Sequence, residues 1–376
     1  MGKWEKVRLE EVCIILDHMR VPVTASNRKP GKYPYYGANG IQGYIDGYIF
    51  DDDLVLLAED GGNFGSVDKP IAYQVSGKCW VNNHAHVLKP KEIINVRYLC
   101  YSLMFYDVTQ LISGTTRAKL NQAAMRRMLI PLPPLPVQQQ IADVLDCASV
   151  LIEKRKAQIE KLDLLIKSQF MEMFGEPVTN PKGWEVYRLS EITSSRLGKM
   201  LDAKQQTGEN QFPYLANFNV QWFQFDFSEL RKMDFDRADQ EEFELKRGDL
   251  LICEGGEIGR CAIWNDNIEC CFFQKALHRV RCNSKIILPI YLSRWFYFRS
   301  KYNKFSDIVG QATIAHLPGI KLKELKVMVP PLSLQNEFAE FVQQVESQKL
   351  LLQQSLAKLE QNYKSLMQKC FRGEIF

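Results

Sequence analysis

Residues 130–140 read Ile130-Pro131-Leu132-Pro133-Pro134-Leu135-Pro136-Val137-Gln138-Gln139-Gln140, and residues 329–335 read Val329-Pro330-Pro331-Leu332-Ser333-Leu334-Gln335. Proline locks φ and cannot continue a central strand or a helix interior, so each segment is a stiff stop before a helical stretch. Beyond the first stop, apolar residues fall at Ile141, Leu145, Ala148, Ile152, Ile159, Leu162, Ile166, Phe170 and Met173. Beyond the second they fall at Phe338, Phe341, Val345, Leu352, Leu359, Leu366 and Cys370. Steps of three and four alternate, and no Gly or Pro interrupts either run. That period predicts coiled-coil seams on helices of about 35 residues, each on the order of 50 Å long. Arg155 and Lys349 break the apolar pattern near mid-helix, where a polar residue sets register. Two such helices in one chain pair most economically with each other; the alternative is that each packs on a separate partner.

Outward from these segments, the chain repeats itself. Trp4-Glu5-Lys6-Val7-Arg8-Leu9 returns as Trp184-Glu185-Val186-Tyr187-Arg188-Leu189. Glu59-Asp60-Gly61-Gly62-Asn63-Phe64-Gly65 returns as Cys253-Glu254-Gly255-Gly256-Glu257-Ile258-Gly259. The proline segments, and Ser168–Phe174 with Ser365–Phe371, complete four landmarks in one order. That is a tandem duplication. Ahead of each stop, short β-type runs such as Gly43–Phe50 and Asp249–Cys253 alternate with Gly and Asn turns. The predicted fold class is α+β: globular mixed α/β domains over residues 1–135 and 179–331, and long helices over 136–178 and 332–376.

The 376 residues are 46% apolar and 24% charged, enough for more than one core. No apolar run approaches the roughly 18 residues that span a bilayer. The opening Met1-Gly2-Lys3-Trp4-Glu5-Lys6 lacks the apolar core of a secretory signal. Ten cysteines without CxxC spacing read as reduced thiols in a cytoplasmic protein rather than as a zinc or disulfide framework. The net charge of +4 is too small for a polybasic tail. Yet residues 1–135 carry 16 basic against 13 acidic side chains and residues 181–331 carry 22 against 19, so the positive excess sits where a polyanion could be gripped.

Enzyme motifs are sparse. An amino-methyltransferase needs an Asn/Asp-Pro-Pro-aromatic loop, and Asn180-Pro181-Lys182-Gly183, the nearest approach, reads as a linker turn. No GxGxxG or P-loop lysine follows a strand. Asp234 with Glu244-Leu245-Lys246 loosely mimics a nuclease triad but lies in a charge-dense stretch that reads as solvated surface. His84 and His86 would share one strand face, where hydrogen bonding outweighs zinc binding for want of further ligands. Gly61-Gly62 and Gly255-Gly256 serve tight reversals, with close approach to phosphates as the functional reading. Trp295-Phe296-Tyr297-Phe298-Arg299 reads better as a helix packed on its own sheet than as a base-stacking platform. Gly114-Thr115-Thr116-Arg117-Ala118-Lys119-Leu120-Asn121, matched by Gly310–Leu317, would open and cap a helix and offer N–H donors to an anion.

The proline segments with their glutamines, Gly248 through Arg260, and Trp80-Val81-Asn82-Asn83-His84-Ala85-His86-Val87, taken with the duplication, resemble the specificity subunit of a bacterial type I restriction-modification system along essentially the whole chain. The resemblance implies two target-recognition domains in pseudo-twofold order on two antiparallel helices. Each domain would read half of a bipartite site in double-stranded DNA, and the helices would set the unread gap, at most very roughly 15 base pairs. Two methyltransferase subunits carrying S-adenosylmethionine would dock on it, and restriction subunits using ATP and Mg would join them. This chain would hold no catalytic residue, cofactor or metal, and no membrane would be involved. Candidate DNA contacts in the first half are Arg20, Arg28, Lys29, Asn63, Asn82, Asn83, Arg117 and Lys119; in the second they are Arg196, Lys199, Asn217, Asn219, Gln221, Arg260 and Thr313. The alternatives are a self-contained methyltransferase or nuclease, and a coiled-coil adaptor with no nucleic-acid role.

Overall fold

The computed structural model describes residues 4–66, 68–114, 117–202, 206–303, 305 and 316–376. The two long helices run Leu135–Phe174 and Leu332–Arg372. Pro136 lies inside the first turn, where its missing N–H would have no intrahelical partner anyway. Both helices stop at glycine in the left-handed region, Gly175 at φ 83° and Gly373 at φ 71°. The chain forms two compact units. The first is Met1–Ala157 with Gln353–Phe376; the second is Gln158–Leu352. Each unit thus takes one end of each helix.

In the first unit, one antiparallel sheet orders Cys13–Ile15, Ala85–Pro90, Leu54–Ala58 and Ala72–Val75. All five residues of Leu54–Ala58 are buried, as expected of an apolar central strand covered on both faces. A second sheet orders Gly40–Ile45, Tyr33–Gly37, Lys78–Val81 and Phe50–Asp51. The helix Val96–Met104 covers the first sheet, its Asn95 cap accepting from the N–H groups of Arg97 and Tyr98. Ile141, Leu145, Met367 and Cys370 from the long helices enter this core. Ser149 bonds the Tyr363 hydroxyl, and Lys156 Nζ lies 3.4 Å from Glu360, so the two helical segments run antiparallel.

The second unit repeats the plan. Its main sheet orders Thr193–Leu197, Leu277–Cys282, Leu250–Cys253 and Cys261–Ile263. The helix Pro289–Asn303 buries Trp295, Phe296 and Phe298, so the aromatic run is core. Phe170 and Phe174 pack on Phe338 with centroids 5.6 and 5.2 Å apart, and Lys349 Nζ lies 2.6 Å from Asp163 Oδ1. Here too the helical segments are antiparallel, and a long apolar seam between paired helices is what the heptad period implies.

Equivalent hydrogen bonds recur in the two units. Leu9 N donates to Met128 O and Leu189 N to Leu325 O, both at 2.8 Å. The Arg8 N–H donates to Glu11 and that of Arg188 to Glu191, closing the same short helix start. Gln138 Nε2 donates to Ile93 O and Pro133 O, and Gln335 Nε2 to Ile286 O and Pro330 O. These glutamines are the reason a Pro-Pro stop is followed by Gln in each copy: the fully buried amide ties the bare proline carbonyl to the domain. The bonds also correct the repeat register. Leu120 N reaches Glu59 O as Leu317 N reaches Glu254 O, which equates Gly61 with Gly256 rather than with Gly255. Both carry positive φ, 62° and 76°.

Candidate nucleic-acid interface

Strand Leu54–Ala58 runs into Glu59-Asp60-Gly61, where Gly61 turns the chain with a φ that a side chain rarely adopts. Beside this turn lies the two-stranded pair Ile112–Ser113 and Lys119–Leu120. Arg117 Nη2 stands 2.7 Å from Asp60 Oδ1, and Lys119 Nζ 3.0 Å from Glu59 Oε1; both basic side chains are more than half or about half exposed, at 59% and 50%. His84 Nδ1 shares Asp60 Oδ1 at 2.7 Å. A Cβ on Gly61 would fall 2.6 Å from Arg117 Nη2, so glycine also makes room for the guanidinium. Asn39 Nδ2 closes the turn by donating to Gly61 O at 3.0 Å.

Beneath the turn is a buried ion network. His86 Nδ1 lies 2.6 Å from Asp17 Oδ2, and its Nε2 lies 2.8 Å from Leu120 O. Arg20 Nη1 donates to Glu59 Oε2 at 2.6 Å and to Ala85 O at 2.8 Å. Burial alone raises the Asp17 and Glu59 carboxyls. The His86 bond on Asp17, and the Arg20 and Lys119 bonds on Glu59, outweigh it and hold both below the usual range. Asp17, Glu59 and His86 are close enough to share a cation. Their ligand atoms are already engaged by Arg20, Lys119, the Val87 N–H and Gln122, so the group is a scaffold of ion pairs.

In the second unit, Asn217 Nδ2 donates to Gly255 O at 2.8 Å, and Arg260 Nη2 donates to Asn217 Oδ1 at 2.7 Å. The exposed Phe218 beside them lies under Arg231, whose guanidinium is 4.9 Å from the ring centroid. Arg196 is exposed and pairs with Glu242. Lys199 is drawn inward, its Nζ donating to Asp234 O at 2.7 Å and to Asp239.

The candidate contacts therefore divide by what their polar atoms do. Lys29, Asn83, Arg117, Lys119 and Arg196 are exposed, and Gln221 is half-exposed. Asn82 and Asn219 are buried with their amides spent internally: Asn82 on Gln42 and the His84 N–H, Asn219 on Asp226 O, Glu229 O and the Ala216 N–H. Arg20 belongs to the ion network. Arg28 stacks 4.0 Å over Tyr35 and donates to Val23 O and Gln42 O. Asn63 donates to Pro70 O at 3.4 Å, while Asn217 and Arg260 brace the second turn. Thr313 lies outside the described residues, as do Thr115 and Thr116.

Three expectations change. Asp234 is buried, not solvated: the Gly208 N–H, with Thr207, holds its carboxyl below the usual range and fixes a turn. No helix opens at Gly114; it opens at Gln122, capped by Asn121, whose Oδ1 accepts from Ala124 N at 2.9 Å. His84 precedes the strand Ala85–Pro90 and hydrogen-bonds Asp60, so it does not share a strand face with His86. Asn39 was missed. The signal was the shared Pro-Tyr…Ala-Asn of Pro34–Asn39 and Pro213–Asn217, one residue out of step.

Two units on one plan, each with a braced glycine turn and basic side chains around it, define a duplicated recognition scaffold. The description "Type I restriction modification DNA specificity domain" matches residues 1–161 and again residues 181–361, and the chain belongs to that family. In a restriction enzyme its place is that of the specificity subunit, not of a catalytic one. A Haemophilus influenzae chain named as a type I restriction enzyme specificity subunit is 30% identical over 345 residues, 90% of this chain and 86% of that one. The type I restriction enzyme EcoKI specificity subunit of Escherichia coli is 24% identical, over 87% of this chain and 75% of that one. The fold is shared with a type I restriction-modification S subunit from M. genitalium, with a TM-score of 0.59 and 16% identity over 98% and 96% of the two chains. It is also shared with a chain solved in work on assembly and conformational transition of the type I R-M system, with a TM-score of 0.61 and 17% identity over 100% and 98%.

Proposed function

We propose that each unit reads one half of a bipartite site in double-stranded DNA, and that the long helices set the number of base pairs left unread. The observation that carries this reading is the pairing of one scaffold with two sets of exposed side chains. The same main-chain bonds brace Glu59–Gly61 and Glu254–Gly256, yet exposed Arg117 and Lys119 stand at the first turn where exposed His316, and Phe218 under Arg231, stand at the second. One operation performed on two different half-sites requires that combination. Arg and Lys suit guanine or phosphate, and Asn and Gln suit adenine. In this reading two methyltransferase subunits with S-adenosylmethionine dock on the helices, and restriction subunits using ATP and Mg join in the cytoplasm, while this chain holds none of those cofactors. No helix among the described residues is long and apolar enough to cross a membrane.

Mapping methylated adenines in DNA from cells expressing this chain with its methyltransferase tests the reading. A split motif is expected, and exchange of residues 1–135 should alter one side of it only. An undivided motif, or a change on both sides, overturns it. Methyl transfer by the purified chain alone would favour a self-contained enzyme instead.

A further inference from the structure

Both units bond a buried histidine to the same main-chain position, but in different electrostatic settings. His86 Nε2 lies 2.8 Å from Leu120 O, and His278 Nε2 lies 3.0 Å from the equivalent Leu317 O. Around His86 stand Asp17 at 2.6 Å and Glu59 at 3.7 Å; Arg20 and Lys119 hold Glu59, and Gln122 Nε2 donates to Asp17 at 2.9 Å. Asp60, with His84 and Arg117 on it, forms the next layer outward. The register of the second sheet removes the carboxylate. Ile15 lies opposite Leu88 as Ser195 lies opposite Val280, so Leu197 takes the place of Asp17. Gly319 takes that of Gln122, and a Cβ there would come within 3.5 Å of His278 Cε1.

A carbonyl only accepts hydrogen bonds, and so does an ionised carboxylate. Asp17 accepts from the Val87 N–H and Gln122 besides His86, which keeps it ionised. With acceptors at both ring nitrogens, a neutral His86 would set a lone pair against an oxygen at one end. Among the described residues His278 has a single hydrogen-bond acceptor, and with Glu254 and Lys323 acting on it in opposite senses it needs a single proton.

We infer that His86 is a positioning residue for DNA binding: a doubly protonated ring that pins the Lys119–Leu120 strand to Asp17, while His278 pins Leu317 as a neutral ring. The inference rests on the reading of Arg117 and Lys119 as DNA contacts. Charge bookkeeping gives it a consequence. With the ring charged, His86 and Arg20 balance Asp17 and Glu59, and Lys119 is left as the surplus cation for a phosphate. With the ring neutral, Lys119 is needed to neutralise Glu59.

The test uses the chain in complex with its methyltransferase. Histidine-selective 15N spectra at pH 7.5 should show both ring nitrogens of His86 protonated and only one of His278. In His86→Gln, which keeps one donor, and in Asp17→Asn, amide exchange at Lys119–Asn121 should accelerate. Affinity for DNA carrying the cognate site should fall about tenfold, and its salt dependence should lose about one phosphate contact. A singly protonated His86 overturns the inference. So does unchanged exchange in both variants, which leaves the half-site reading intact. Faster exchange with unchanged affinity and salt slope removes this strand from the DNA contacts, and the inference falls with that part of the proposed function.

Discussion

Lys349 Nζ stands 2.6 Å from Asp163 Oδ1 across the seam of the second unit. Its stem is four-fifths covered while Asp163 is half exposed, so the lysine lies along the apolar seam and delivers its charge at the rim. Such a pair stabilises by only about 0.2–1 kcal/mol. Its larger effect is on register, because a slipped helix would leave the ammonium facing leucines. Lys349→Leu should therefore leave thermal stability nearly unchanged or slightly raised. Disulfide trapping between cysteines placed on the two helices should detect one-turn-shifted pairs in the variant and none in the parent.

Removal of Gln138 or Gln335 should act on folding. Each is fully buried, donates to two carbonyls and accepts one N–H, from Asn95 and Leu288 respectively. Gln138→Ala strands those main-chain groups at a cost of about 3 kcal/mol. Denaturant unfolding followed by probes in each unit should place the Gln138→Ala loss in the first unit and the Gln335→Ala loss in the second.

Two polar residues, one from each unit, should part company in DNA binding. Asn219→Ala removes three internal hydrogen bonds and should lower stability by about 2 kcal/mol. Base preference at folded protein should stay the same. Lys119→Ala, which takes one of two cations from the buried Glu59, should lower stability by up to about 1 kcal/mol and reduce the salt slope of binding by about one. A change of base preference in Asn219→Ala with normal stability would contradict its placement.

Acid should weaken the second unit first. Burial pushes the His278 imidazole below its ordinary value, only partly offset by the bond to Leu317 O. The unfolded chain then binds the extra proton first. Stability is complete above about pH 6.5, the unfolded histidine value, and declines as pH falls through the lowered folded value. Asp17 and Glu59, both lowered in the fold, add their losses only in the carboxylate range below about pH 4. Melting of the second unit should drop between pH 7.5 and 5.5, and His278→Gln, which retains a donor for Leu317 O, should flatten that drop.

Much of the architecture was written in local patterns. The three-and-four spacing from Ile141 to Met173 and from Phe338 to Cys370 specified helices, and the recurrent Pro-Pro…Gln marked where each begins. Helical period is visible within a dozen residues, whatever the rest of the chain does. The cap at Asn121 was harder to see, because Gly114-Thr115-Thr116 offers an equally good opening by composition; the pairing of Ile112–Ser113 with Lys119–Leu120 decided against it.

By itself, then, the sequence determined a duplicated α+β chain with two long seam-bearing helices and a mild positive bias on its globular parts. Only the tertiary structure decided which polar side chains face outward. Asn83 and Asn82 are neighbours of one chemistry, yet one is exposed while the other is buried against Gln42, forty residues away. Arg20 and Arg117 are both arginines near acidic residues, and Glu59 engages the first inside the fold while Asp60 holds the second at its surface. The physical reason is that periodicity is a property of adjacent residues, whereas the satisfaction of a hydrogen bond depends on the partners that distant strands bring to it.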